Sequence, residues 1–267
     1  MFVMKSLHTF VVLAYKESKY LEECIKSVLN QKYKSEVVIA TSTPNDYIDN
    51  VAKKYKLKVI KNKNKSKGIG YDFDFALSCA KTELITIAHQ DDIYDYEYSE
   101  KVVNAYLKNK NLDPIIVFTD YYEIHDSGIE KENTNLKIKR ILLKPLKKVN
   151  NSNKVKTKRK VIKIGNAISC PAVTFVTKKI EFPVFGSKYK CNVDWNAWEK
   201  LSKKDGAFIF VPELLMGHRI DSTTTTTKII NEGTRTKEDL EILKRFWPAP
   251  IAKFINHFYK NSEKNNK

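Results

Sequence analysis

The chain has 267 residues, 42% hydrophobic and 11% aromatic, with only 8 glycines and 8 prolines, enough to bury a sizeable core and too balanced for fibrous, low-complexity or disordered classes. Its 48 Lys and Arg against 31 Asp and Glu leave a formal charge of +17; that favours polyanionic partners (nucleotides, nucleic acid, an anionic membrane face), although a solvated lysine surface is the commoner meaning. Cysteines at 24, 79, 170 and 191 form no Cys-x-x-Cys pair, which excludes a disulfide framework and points to reduced thiols in the cytoplasm, and no apolar run reaches the ~18 residues needed to span a bilayer, so any membrane contact is peripheral.

Thr9 to Ala14 is an apolar, β-branched run that reads as a buried strand. The following helix places Leu21, Cys24, Ile25, Val28 and Leu29 on one face, with Ser18 as its N-cap. Tyr15, Lys16 and Glu17 therefore make the first strand-to-helix turn. A second short strand, Glu36 to Ala40, leads into the turn Thr41-Ser42-Thr43-Pro44-Asn45, where Thr43 caps a helix with Pro44 at its first position. Leu57 to Ile60 is a third strand. The loop after it carries Lys61, Lys63, Lys65 and Lys67 and ends in Gly68-Ile69-Gly70. Lys67 and Gly68 suit a phosphate, and equally a solvated loop; neither the P-loop spacing nor the full Gly-x-Gly-x-x-Gly series is present.

After a helix over Tyr71 to Ala80, the strand Ile85 to Ala88 ends abruptly in His89-Gln90-Asp91-Asp92. Adjacent carboxylates repel, so they suit a site where a divalent cation compensates them. The plainer alternative is that Asp91 and Asp92 cap a helix beginning near Tyr94. Strand and helix have alternated three times, which predicts a mainly parallel sheet with right-handed crossovers. The turns at Tyr15 and Thr41 and the two carboxylates then converge at one sheet edge.

Further on come a helix from Glu97 to Lys108, a strand from Ile115 to Thr119 and a turn at Asp126-Ser127-Gly128. From Lys137 to Lys163 there are 12 basic residues and no acidic one. This block reads as a solvated mobile loop or as a patch for an anionic surface; without aromatics it makes a poor base-stacking platform. Gly165 to Thr177 returns to a strand-like pattern. A helix opens at Asp194-Trp195, where Asp194 either caps or works and the tryptophan either packs or contacts substrate. Ala207 to Val211 is another strand, followed by His218, Arg219 and Asp221. A last amphipathic helix covers Glu238 to Trp247, and the tail frays from Lys260.

Taken together, Val11 to Glu17 with the helix Leu21 to Gln31 behind it, the His89-Gln90-Asp91-Asp92 stretch, and Val193-Asp194-Trp195 followed by Phe210-Val211-Pro212-Glu213 resemble the inverting, GT-A-fold glycosyltransferases of family 2 over roughly residues 8 to 247. The resemblance implies an α/β fold, a Rossmann-like mainly parallel sheet flanked by helices, with a carboxy-terminal acceptor-side extension. Residues 1–130 would be the nucleotide-sugar-binding half, 131–164 a basic loop, 165–250 the acceptor-side half and 251–267 a basic tail.

It further implies a nucleotide-diphosphate sugar donor near Ala14, Tyr15, Glu17, Thr41, Lys67 and Gly68. Asp91 matches the last carboxylate of the family's Asp-x-Asp signature, with Asp92 after it and His89 in the place of the first Asp; these would hold Mn²⁺ or Mg²⁺. Asp194 matches the catalytic carboxylate that deprotonates the acceptor hydroxyl. Trp195, His218 and Arg219 would face the acceptor, a glycan or lipid-diphosphate-linked molecule of surface polysaccharide synthesis, at the cytoplasmic face of an anionic membrane. Ala40 and Thr41 stand where paired aspartates are usual, Phe73 and Asp74 replace an Arg-Asn pair, and Asp221 replaces a histidine. The alternative is an inactive relative, a basic protein binding nucleic acid or membrane; the enzymatic reading expects no nucleic acid.

Overall fold

A computed structural model describes residues 6–63, 68–186, 188–220 and 233–264, with side chains in the last stretch to Phe258. β1 (His8–Ala14) and β4 (Leu84–His89) are apolar on both faces, as the central strands of a helix-covered parallel sheet must be. They pair with each other and, through β1, with β2 (Glu36–Thr41), which pairs in turn with β3 (Lys58–Lys61), all in parallel. Beyond β4 the sheet becomes mixed. β8 (Val173–Val176) runs antiparallel between β4 and the long β6 (Pro114–His125), and β9 (Ala207–Arg219) lies parallel to β6. The two-residue β5 (Ile93–Tyr94) closes the far edge on β9, and β7 (Gly128–Glu130) forms a hairpin with β6. The order is β3-β2-β1-β4-β8-β6-β9-β5.

Alternation along the strands separates two apolar layers. Phe10, Val12 and Ala14 pack with α1 (Leu21–Leu29), α2 (Asp46–Lys54) and α4 (Tyr98–Lys108). Val11, Ile85 and Ile87 face α3 (Ile69–Ser78), α6 (Val155–Ile162), α7 (Val193–Leu201) and α8 (Thr234–Leu243). The chain order reverses between β1 and β4, and a crevice opens at their carboxyl ends.

Several expectations are corrected. The segment read as a basic loop is helical: α5 (Thr134–Leu143) and α6 bury Leu136, Leu143, Val161 and Ile162. Leu136 and Leu143, two turns apart in α5, and the Val161-Ile162 pair at the end of α6 supply apolar faces that the charge count conceals. Lys158 is itself fully buried, donating to the carbonyls of Gly206 (2.7 Å) and Lys204, and desolvation lowers its pKa to about 8. The tail expected to fray from Lys260 continues as α9 (Ala249–Lys264). Asn45, not Thr43, caps α2, its Oδ1 accepting the Ile48 amide at 2.9 Å. α1 starts at Leu21 behind Tyr20, and Ser18 contributes its carbonyl, which accepts the Leu21 amide at 3.1 Å. Asp91 and Asp92 cap no helix, since β5 intervenes before α4.

Candidate active site

The turn leaving β4 closes with the Asp92 amide donating to the His89 carbonyl at 3.1 Å. Pairing of Ile93 with Gly217 then carries Asp92 against the end of β9. A side chain at 217 would come within 2.6 Å of the Tyr122 ring, so glycine lets the strands close. Asp92 is fully buried. Its Oδ1 accepts from His218 Nδ1 at 3.0 Å and from the Arg219 amide at 2.9 Å. Its Oδ2, 3.8 Å from His89 Nδ1, has no hydrogen-bond donor among the described residues, and neither does the buried Nε2 of His89. Phe73 stacks on the His89 ring at 5.0 Å and fixes its plane. Arg219 completes the cluster, donating to the Asp91 carbonyl (3.0 Å) and to Glu23 (2.6 Å) while lying 4.1 Å over the Tyr20 ring.

His89, Asp91 and Asp92 offer ligand atoms within 4.8 Å of one another. Burial, then the charge of Asp92, raises the Asp91 pKa to about 6. Burial lowers that of His89 to about 4, keeping the imidazole neutral as a ligand requires. Burial would also raise Asp92, but the His218 charge and hydrogen bond outweigh it and hold the carboxylate below its ordinary range. Two orphaned buried atoms beside mutually repelling carboxylates fit a divalent cation. The mixed nitrogen and oxygen set suits Mn²⁺ better than Mg²⁺, which prefers oxygen throughout.

Across the crevice, Gln90 joins the ends of β4 and β1: its Oε1 accepts the Tyr15 amide at 2.9 Å and its Nε2 donates to the Tyr15 carbonyl at 3.0 Å. The Tyr15 backbone is thereby fixed to the turn after β4, and the residue is 43% exposed. Lys16 takes a left-handed φ of 54°, stabilised by its amide donating to Thr43 Oγ1 at 2.6 Å. Ala14 is buried and Glu17 exposed. Thr41 is fully buried and its hydroxyl accepts the Thr43 amide, so it shapes the turn and its side chain offers nothing to a ligand. Gly68 starts α3 at a φ of 125°; Lys67 and Asp221 lie outside the described residues. Asp72, in the first turn of α3, receives hydrogen bonds from Ser42 and Asn62 at the ends of β2 and β3, and burial raises its pKa. It places a carboxylate near the position that Ala40 and Thr41 leave without one.

Asp194 stands at the start of α7, its Oδ2 accepting from Asn166 at 2.6 Å and its Oδ1 from the Trp195 amide at 2.8 Å. Burial raises its pKa despite those bonds and the charges of Arg235 and Lys139. Cys170 is buried, and burial, then the charges of Asp194 and Asp92, push its thiol well up. Trp195, expected at the acceptor, is instead fully buried in the core, its indole N–H donating to the Ile162 carbonyl at 2.8 Å. One residue on from Asp194, it points a different way around the helix. His218 and Arg219, also expected there, join the ligand group through Asp92 and Asp91.

Four residues escaped the sequence reading besides Asp72. Gln90, between His89 and Asp91, shows its role only in the contact with the Tyr15 backbone. Lys139, inside the basic block, bears electrostatically on both Asp194 and His218, and donates to Tyr121 Oη at 2.7 Å. Asp74 accepts the amides of Val184, Phe185 and Gly186 at 2.9, 3.0 and 2.7 Å. Glu238 accepts those of Lys190, Cys191 and Asn192 at 2.7, 2.9 and 2.9 Å. These two carboxylates fasten the segment that leads into Asp194.

The mixed sheet, its flanking helices and the crevice define a GT-A glycosyltransferase fold. Over 95% of this chain and 69% of the other, the structure resembles S. aureus TarS 1-349 with a TM-score of 0.60 and 15% identity. TarS 1-349 has also been solved with UDP (TM-score 0.56, 18% identity, 91% and 70% covered). A mannosyltransferase from Pyrobaculum calidifontis, solved with GDP-Man and Mn²⁺, matches with a TM-score of 0.59 and 14% identity over 96% and 71%. No curated protein matches the sequence significantly. The sequence pattern of Glycosyl transferase family 2 matches residues 9–172, and the chain belongs to that family.

Proposed function

We propose that the chain transfers a sugar, with inversion and metal assistance, from a nucleotide-diphosphate sugar to a glycan or lipid-diphosphate-linked acceptor in surface polysaccharide synthesis, working in the cytoplasm at the inner membrane face. The observation that carries this reading is the occurrence in one fold of two centres: a ligand group of His89, Asp91 and Asp92, and a separate carboxylate, Asp194, held by Asn166 and the Trp195 amide and raised in pKa by burial. The solved complexes of the two structural neighbours with UDP and with GDP-Man and Mn²⁺ support it at the level of the fold.

In this reading Tyr15 offers an exposed ring to the nucleobase, and Asp72 a hydrogen-bond acceptor on the same side. His89, Asp91 and Asp92 hold Mn²⁺ or Mg²⁺, which when bound neutralises charge on the leaving diphosphate. Asp194 takes the proton of the acceptor hydroxyl as that oxygen attacks the anomeric carbon on the face opposite the diphosphate. A buried carboxylate of raised pKa is the stronger base, and general-base assistance of this kind is worth about 10² to 10⁴ in rate. Trp195 and Trp198, both fully buried, anchor α7 in the core and so fix the position of Asp194.

The test is release of the nucleotide from a panel of UDP-, GDP-, CDP- and dTDP-sugars with a lipid-diphosphate glycan acceptor and Mn²⁺, with proton NMR of the product's anomeric configuration. One donor should be consumed and its configuration inverted, and Asp194→Asn should lose transfer while remaining folded. A retained configuration, or full transfer by Asp194→Asn, contradicts the proposal.

A further inference from the structure

The last helix exposes apolar surface that no described part of the chain covers. α9 buries Ala252 and Asn256 against α8, the Asn256 amide donating to the Thr236 carbonyl at 3.1 Å. On the adjoining stripe Ile251, Phe254 and Phe258, spaced by three and four residues, are 44%, 65% and 59% exposed, the two phenyl rings edge to face at 4.8 Å. Lys253 and His257 are exposed on another side. A packed stripe, an apolar stripe and a basic one on a single helix make the pattern of a helix that lies in the plane of a bilayer interface.

α6 brings further charge to the same corner. The Lys163 amine sits 4.5 Å over the Trp247 ring and the Arg159 guanidinium 4.5 Å over Phe246, so the end of α6 abuts the turn from which α9 starts. Lys156 and Lys160, on the same helix, are exposed and make no ion pair with any described residue.

We propose that this corner docks on an anionic phospholipid surface, with Ile251, Phe254 and Phe258 entering the boundary between headgroups and acyl chains and Lys253, Lys156 and Lys160 meeting lipid phosphates. The inference names a membrane-binding surface and is independent of Asp194 and the ligand group. Two considerations select lipid over protein. Three such side chains expose roughly 300 Å², well short of the ~800 Å² that each partner of a stable protein complex contributes, whereas shallow insertion with electrostatic attraction needs far less. A second copy of a chain of charge +17 would also set these lysines against their own kind.

Co-sedimentation of the full chain with vesicles of phosphatidylcholine, alone or with about one-third phosphatidylglycerol, reads the contact directly. Binding is expected to the anionic vesicles only and to weaken at high salt. Lys156→Gln and Lys160→Gln should each lower it about fivefold. The double variant Phe254→Ser/Phe258→Ser should lower it about tenfold or more without changing the melting temperature. In Phe254→Trp, which keeps the apolar stripe, emission should shift to the blue on adding the anionic vesicles. Equal binding by the double serine variant, equal binding to neutral vesicles, or no emission shift overturns the proposal. So does a dimer in light scattering that the serine variant dissolves, because the face would then belong to a second copy.

Discussion

His218 Nδ1 donates to the buried Asp92 Oδ1 at 3.0 Å and ties the end of β9 to the turn that follows β4. Burial would lower the His218 pKa, but the Asp92 charge prevails and raises it, and His218 in return holds Asp92 low. The histidine's contribution is complete below its ordinary pKa of ~6.5 and is lost as pH rises through the raised value; the carboxylate's is present above ~3.9 and lost as pH falls through the depressed one. The pair therefore stabilises most between about pH 4 and 6.5. His218→Ala leaves a buried carboxylate with one donor fewer and should cost about 3 kcal/mol in urea unfolding. Mn²⁺ affinity should fall about 10- to 100-fold, because His218 orients a ligand.

Lys139 lowers the Asp194 pKa that burial raises. Lys139→Gln should therefore move the acid limb of the kcat/KM profile to higher pH by up to about one unit while nucleotide affinity stays unchanged. An unmoved acid limb would remove Lys139 from the electrostatics of the base.

The parallel half of the sheet was readable because its strands are continuous apolar runs and α1 shows four buried residues at helical spacing. The placement of Asp91 and Asp92 at a strand end followed from the same pattern. Three things were hidden for physical reasons. β5 has two residues, too few for any period, so Asp92 looked like a helix cap. In α5 and α6 the density of lysine obscured the apolar face. The roles of Asp74, Glu238, Gln90 and Lys139 depend on partners that only tertiary contact supplies; Asp74 bonds a segment 110 residues away in sequence. Trp195 illustrates the opposite error: adjacency to Asp194 says nothing about direction on a helix.

Asp74 and Glu238 each gather three backbone amides ahead of α7, and charged acceptors make strong hydrogen bonds. Asp74→Ala should strand those amides and cost roughly 2 to 4 kcal/mol in chemical denaturation. Glu238→Gln can still accept but loses the charge, and should cost about 1 to 2 kcal/mol. Since both carboxylates act through the placement of Asp194, kcat should fall in both variants by more than the nucleotide Kd rises.

His8 is fully buried between Ser35 Oγ (2.7 Å) and Thr86 Oγ1 (2.8 Å), and desolvation lowers its pKa to about 3. The unfolded chain takes up a proton near pH 6.5 and the folded one does not, so stability is undiminished above that pH and falls as pH drops toward the folded value. The slope from this one group reaches about 1.4 kcal/mol per pH unit. Unfolding midpoints measured from pH 7 to pH 5 should fall in the wild type and fall less in His8→Gln.

The central claim is that His89, Asp91 and Asp92 hold a divalent cation against a nucleotide diphosphate. The direct measurement is a thermal-shift screen of UDP, GDP, CDP and dTDP with and without Mn²⁺, comparing wild type with Asp91→Asn. A ligand at ~100-fold excess over its Kd stabilises the folded state by about 2.7 kcal/mol. One nucleotide should raise the melting temperature of the wild type only when Mn²⁺ is present, and Asp91→Asn should abolish that shift. No shift with any nucleotide, or an equal shift in the variant, would contradict the account.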